Sequence, residues 1–520
     1  MTADRIIIST ANIRRSLDRK FAIIYVHMDD KQKTDKNQQA SAQPIQVEEV
    51  APTVESPERV QGSIPPDYPT DLPPVYEENR SRFLFISGIV VFFLIVFFLV
   101  YWFFLKDRFS AQNQEPTTPS NEPVTLQYWG LWDEKEVFQP LIEEYQSKNP
   151  KVTIQYERVS PEGYRERLIA RSKTGNGPDI FRYHNTWVPE IREVLTSIPP
   201  EIMSTEEFEQ TFYPIHQKDL KIENAYYGIP LMVDGLVLIY NEGVLRQAGI
   251  QQPPQVWVGG QNDVENVVSA LTVRDTSGAI VTSGMAIGTA NNVDHFGEIF
   301  GALLLLNGGD LKKLNEKEAV EALQLYRKFS EENYWNEKQS NSISAFIQGR
   351  VAMIFGPSWQ VVNIKSQNPD LNVKVAQIPR GLLDKNISVG NYWVEGVNKF
   401  SKNQIEAWKF LKYLSQKETM TKMYENQTKT RAVGVAYSRR DLFETQKDNE
   451  YLAPILEMAQ NDQLVSLPLV DRTYDKGLND EIIQYLENAI NETINGVDYA
   501  TALNKAQTGI NQVLQRYSIQ

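Results

Sequence analysis

VTLQYWGLWDEKEVFQPLIEEYQSKNPKVTIQYERVSPEGYRERLIARSKTGNGPDIF, residues 124–181, switches between two kinds of periodicity. Val124 to Tyr128 alternates apolar and polar with period two and stops at Gly130, the pattern of a half-buried strand. From Glu134 to Ser147 the apolar residues Val137, Phe138, Leu141, Ile142 and Tyr145 recur at helical spacing, and Asn149-Pro150 ends the run. Val152 to Tyr156 alternates again. Ser160-Pro161 supplies a helix cap and a first-turn proline, Gly175 and Gly177 a stop, and Pro178 to Phe181 a third strand. Strands joined by helices predict an α/β sheet covered on both faces. Ligands of such sheets sit beyond the carboxyl ends of the strands, here Trp129–Trp132 and Arg182–Trp187.

Beyond residue 181 the chain closes with two amphipathic helices, one on Ile482, Ile483, Leu486 and Ile490 with Asn479 as its cap, the other on Ala502, Leu503, Ala506, Ile510, Val513 and Leu514. Before residue 124 the texture changes. Phe83–Leu105 is a run of 23 residues without a charge, about 34 Å long as a helix against a hydrocarbon core of about 30 Å. It is too long and too far from the N-terminus for a signal peptide. The expectation is a single transmembrane helix at 83–105, in contact with the lipid bilayer. Residues 1–82 precede it, with seven prolines between Pro52 and Pro74, and are expected to be disordered. A linker, 106–123, follows.

The whole chain carries a net charge of −13, with no basic block of the kind that binds nucleic acid. It has no cysteine, which removes disulfides, thiolate chemistry and a lipidated N-terminal cysteine as an anchor. The roughly 400 residues after the linker exceed one comfortable core, so two lobes are expected. Basic residues flank the apolar run two against two, and Arg14, Arg15, Arg19 and Lys20 incline the front segment to the cytoplasmic side.

Five stretches resemble, in order, the extracellular solute-binding proteins that serve carbohydrate ABC importers: VTLQYWG, GNGPDIF, YYGIPLMVDGLVLIYNEGVLRQAGIQQPP, FIQGRVAMIFGPSW and GNYWVEGVNKFSKNQIEAWKFLKYLSQKE. The resemblance covers 122–520 and none of residues 1–105. It implies a two-lobed, type II periplasmic-binding-protein-like fold, similar to maltose-binding protein, at 124–520. Lobe 1 would hold about 124–234 and 392–438, and lobe 2 about 235–391 and 439–520. Three passages between lobes are implied, near Met232–Leu236, Val389–Val394 and Tyr437–Phe443. The resemblance further implies a monomeric, extracytoplasmic binding domain that closes on a carbohydrate and hands it to permease subunits. No cofactor or metal is implied.

Sugars offer flat C–H faces to aromatic rings and rims of hydroxyls to polar groups. The candidates are therefore Trp129 and Trp132 after the first strand, and Tyr183, His184 and Asn185 after the third. Asp234 is in the first passage, Trp359 in the GPSW turn, and Asn391, Tyr392 and Trp393 at the return to lobe 1. Each has a plainer reading: an aromatic in an α/β domain is often core, and Asp234 can serve hinge backbone. Trp408 and Trp257 are read as core. Gly390-Asn391 replaces the family's usual Gly-Gly, and a proline expected after SQKE is missing near Arg431, which is read as solvated or as reaching the cleft. No HExxH, nucleophile elbow or phosphate-binding glycine loop occurs, and an enzyme is not expected. The rival to transport is a membrane-bound glycan sensor or adhesin.

Overall fold

Val124–Gly130 forms β1 in a computed structural model that describes residues 122–519 apart from residues 382, 384, 471, 472 and 474. The apolar run 83–105, the segment before it and the linker up to residue 121 lie outside the described residues. Among the described residues, no helix is long and apolar enough to cross a membrane.

The helix α1 (Lys135–Lys148) buries the five apolar residues at helical spacing, and returns the chain to β2 (Val152–Arg158), parallel to β1 in unbroken register. The next helix, α2 (Tyr164–Lys173), begins later than the sequence suggested. Ser160-Pro161 does not cap it; Gly163, at φ +60°, turns the chain into its first residue. Glycine takes this left-handed conformation without the Cβ clash of other residues. β3 (Ile180–His184) then joins β1 in parallel.

The strand β4 (Ile229–Pro230) ends the first long segment of lobe 1. The chain crosses over at 231–235 and builds a second sheet from β5 (Leu236–Asn241), β6 (Val273–Arg274), β7 (Ile280–Met285), β8 (Val351–Pro357) and β9 (Val373–Ala376). Its order is β9-β5-β8-β7-β6. All seven residues of β8 are buried, which accounts for the unbroken apolar texture of VAMIFGP. The helices α3 (Phe296–Leu306) and α4 (Lys317–Glu331) pack together in this lobe.

A second passage follows: β10 (Ser388–Gly390), then β11 (Trp393–Val397), which returns to the first sheet between β3 and β4, antiparallel to both. The first sheet thus has the order β2-β1-β3-β11-β4. Helix α5 (Lys417–Thr428) packs on α1, and the third passage begins where Ala436 bridges to Val233. β12 (Leu464–Ser466) pairs in parallel with β10, and Gly390 also bridges to Gly235. The three passages therefore lie side by side. A two-lobed α/β fold with a multi-strand hinge results.

The helices α6 (Leu478–Ile494) and α7 (Tyr499–Arg516) close the chain against α3 and α4. Gly477, not Asn479, precedes α6. Asn479 lies one residue inside the helix, where its amide donates to Thr186 Oγ1 at 2.7 Å and to the Val470 oxygen at 2.6 Å. It ties lobe 2 to lobe 1 instead of capping. Trp408 and Trp257 are buried, the latter stacked on Phe355.

Candidate functional site

A cavity of about 1040 Å³, part of it open to solvent, lies between the sheets beside the hinge. Its walls come from the loop after β1, the end of β3, all three passages and the turn after β8. This is the place where strand carboxyl ends face each other.

Of the ten residues singled out in the sequence, seven line this cavity: Trp132, His184, Asp234, Trp359, Asn391, Tyr392 and Trp393. Trp132, from lobe 1, and Trp359, from lobe 2, are each 40% exposed, so their rings present open faces. Trp132 holds φ at +71°, unusual for a bulky residue, and non-glycine strain of this kind gathers at binding sites. Its ring lies 5.5 Å from that of Trp393, which in turn rests edge-on against His184 at 5.2 Å and Trp187 at 5.4 Å. The buried Trp187 thus supports the wall from behind.

Trp129, Tyr183 and Asn185 do not line the cavity. Trp129 alternates to the other face of β1, where it packs on Tyr164 beneath the Arg171 guanidinium. Tyr183 is buried with its hydroxyl on the Tyr227 oxygen. Asn185 turns inward, donating to Asp219 and Ser466 and accepting the Tyr392 amide at 3.1 Å. Within β3 successive side chains point to opposite faces, so Arg182 and His184 face the cavity and Tyr183 between them turns away.

Asp234 serves the hinge as well as the wall. Its Oδ1 accepts the amides of Gly235 at 2.7 Å and Ser358 at 2.9 Å, and its Oδ2 that of Trp359 at 3.2 Å. Burial pushes the carboxyl up to about 6, against the opposing pull of those amides. Asn391 donates to Glu298 at 2.7 Å, and His295 bonds both Glu298 and Gln360, which continues the network into lobe 2.

A charge cluster forms the floor, and strand periodicity gave little sign of it. Arg182 donates from Nε to Glu395 at 2.7 Å and from Nη1 to Asp133 at 2.6 Å. Burial works to raise the Asp133 carboxyl, but Arg182 and then Arg431 outweigh it and hold it below its ordinary value. Burial pushes the Glu395 carboxyl up despite Arg182. Asp133 was open to discovery, since it follows Trp132 in the loop beyond the first strand. Arg182 lies in the strand end Arg182–Trp187 where ligands were expected, but it was not singled out beside the aromatic residues that follow it. The rest of the wall is largely apolar, with Met232, Val362, Val435, Leu452 and Val470. No cluster of potential metal ligands occurs among the described residues.

Known proteins resemble this chain in sequence and in fold. A putative binding protein of Brucella abortus is 25% identical over 302 residues, 56% of this chain and 71% of the relative. The maltodextrin-binding protein of Bacillus subtilis is 24% identical over 62% of this chain and 76% of its own. Among solved structures, a cyclo/maltodextrin-binding protein complexed with maltotetraose superposes with a TM-score of 0.62 at 16% identity, over 76% of this chain and 99% of that one. A solute-binding protein of Thermotoga lettingae bound to alpha-D-tagatose gives 0.59 at 21% identity, over 75% and 99%. Both share the two-lobed fold. The profile of the bacterial extracellular solute-binding proteins matches residues 140–451, and the chain belongs to that family of binding proteins, which are not enzymes.

Proposed function

We propose that this protein is a membrane-tethered, extracytoplasmic receptor that captures a carbohydrate, an oligosaccharide in particular, and delivers it to the permease of an ABC importer. The observation that carries the reading is the pair of half-exposed tryptophans, Trp132 on one lobe and Trp359 on the other, facing a single cavity beside the hinge. Aromatic faces pack on the C–H faces of sugar rings, and a ligand touching both lobes favours their closed arrangement. Micromolar binding supplies about 8 kcal/mol, ample for closing a cleft that is biased open by a few. Relatives named for maltotriose, maltodextrin and multiple-sugar binding point the same way.

Residues 83–105 would hold the domain at the membrane, with residues 1–82 in the cytoplasm and the binding domain outside. A short linker then keeps the binding domain concentrated at its permease. A thermal-shift screen of the full chain in detergent against oligosaccharides tests the ligand class. Ligand at a hundredfold excess over Kd adds about 2.7 kcal/mol and raises the melting temperature visibly. A shift with another solute class and none with any sugar would overturn the assignment. Release of the protein from membranes by alkaline carbonate alone would overturn the tether.

A further inference from the structure

Arg431 is the more loosely paired of the two guanidiniums at the cavity wall. It follows α5 in the turn before the third passage, and its side chain is about one quarter exposed, at 23%. A guanidinium carries five N–H donors in a fixed fork. Here Nη1 reaches Asp133 Oδ1 at 3.3 Å, long for a charge-assisted bond, and the buried Nε has no hydrogen-bond partner.

The neighbouring acids are committed elsewhere. Asp133 gives its other oxygen to Arg182 and shares Oδ1 with the Gln427 amide at 3.2 Å. Glu395 is engaged by Arg182 Nε. Asp234 already accepts three backbone amides. Two guanidiniums thus share two carboxylates, and Arg182 makes the short contacts with both. Burial weakens the protonated form of Arg431, Asp133 only partly restores it, and Arg182 opposes it further. Arg431 lines the cavity beside Asp133, the residue that follows the Trp132 platform.

We propose that Arg431 is a specificity-determining residue that pairs with an anionic substituent, a carboxylate or sulfate, on an acidic saccharide bound in the cleft. The proposal rests on the carbohydrate reading above. The guanidinium fork binds two oxygens of a carboxylate or sulfate bidentately, which a lysine does not reproduce. In this arrangement the sugar ring lies against Trp132 and the oxyanion meets the exposed part of the Arg431 side chain.

Calorimetric titration of the full chain in detergent tests it. The probes are tetrasaccharides of galacturonate, alginate and hyaluronan, the carboxyl-reduced form of each, maltotetraose and a sulfated galactan tetrasaccharide. At least one acidic probe is expected to bind about tenfold or more tightly than its reduced form, as a charge-assisted bond allows, with the advantage shrinking in high salt. Arg431→Gln weakens binding of the acidic probe at least about tenfold more than binding of its reduced form, while Arg431→Lys restores part of that difference. Strongest binding of the sulfated probe supports the proposal with sulfate as the oxyanion. Equal binding of acidic and reduced forms by the unmutated protein overturns it and leaves the carbohydrate reading standing, whether or not the variants fold. Equal loss for both forms in Arg431→Gln overturns it likewise. Binding of no saccharide at all overturns both.

Discussion

The backbone oxygen of Asp234 accepts the amide hydrogen of Asn391 at 3.0 Å, joining the first and second passages of the chain between its lobes. The Asp234 carboxylate meanwhile holds the turn that carries Trp359. A single residue therefore couples hinge geometry to the position of one aromatic face.

Trp132→Gly separates a ligand platform from a core residue. Glycine adopts φ +71° without strain, so the melting temperature of the unliganded protein should stay level or rise. Ligand affinity should fall about tenfold or more. Trp359→Ala should weaken binding similarly with the fold intact. A drop in unliganded stability in both variants, with affinity retained, would make these rings core.

Arg182→Leu should cost about 3–5 kcal/mol in urea unfolding, because Asp133 and Glu395 lose their partner and remain buried. The Arg182→Leu/Glu395→Leu double variant should recover part of that loss. An unchanged midpoint for the single variant would show the cluster to be solvated.

His216 is buried with neither ring nitrogen hydrogen-bonded, edge-on to Tyr392 at 4.3 Å. Burial lowers its pKa from 6.5 to about 3. The unfolded chain takes up a proton near 6.5 that the folded protein refuses, so stability falls as pH drops from 6.5 toward 3. The slope is about 1.4 kcal/mol per pH unit. His216→Phe should flatten it, measured by denaturant midpoints between pH 7 and pH 4.5. An unchanged slope would contradict the burial argument.

Asp234 has the opposite sign. Its folded pKa is raised from 3.8 to about 6, so its contribution is fully present below 3.8 and lost as pH rises through about 6. Asp234→Asn keeps an oxygen for the Gly235 and Ser358 amides and removes this titration. Its stability relative to the unmutated protein should therefore improve as pH rises from 4 to 7. A constant difference across that range would show that the carboxyl does not titrate there.

Gly235→Ala tests the hinge packing. A Cβ there would stand 2.7 Å from the Val389 oxygen and 3.1 Å from the Gly390 Cα, both on the neighbouring passage. Backbone cannot yield as a side-chain tip does, so a loss of about 1–3 kcal/mol in unfolding free energy is expected. Wild-type stability would mean that the passages are free to separate.

The sequence by itself determined the alternation of strands and helices in 124–181, the buried stripes of α1 and α7, and the kinship of the domain. Those features are local: periods of 2 and 3.6 are written into neighbouring residues, and the order of the family stretches survives wide divergence. It also brought Trp132, Trp359 and Trp393 forward as candidates. Only the tertiary structure decided that Trp129 and Tyr183 turn into the core, because the face a strand residue shows depends on which elements cover the sheet. The helix starts at Gly163 and Gly477 are set by local backbone and by Asp480, while the contact of Asn479 with Thr186, 293 positions away, is tertiary. The cluster of Asp133, Arg182, Glu395 and Arg431 spans nearly 300 positions of sequence, with |i−j| of 298 between Asp133 and Arg431. Its balance of charge is a matter of distances of a few ångströms, and no local pattern encodes those.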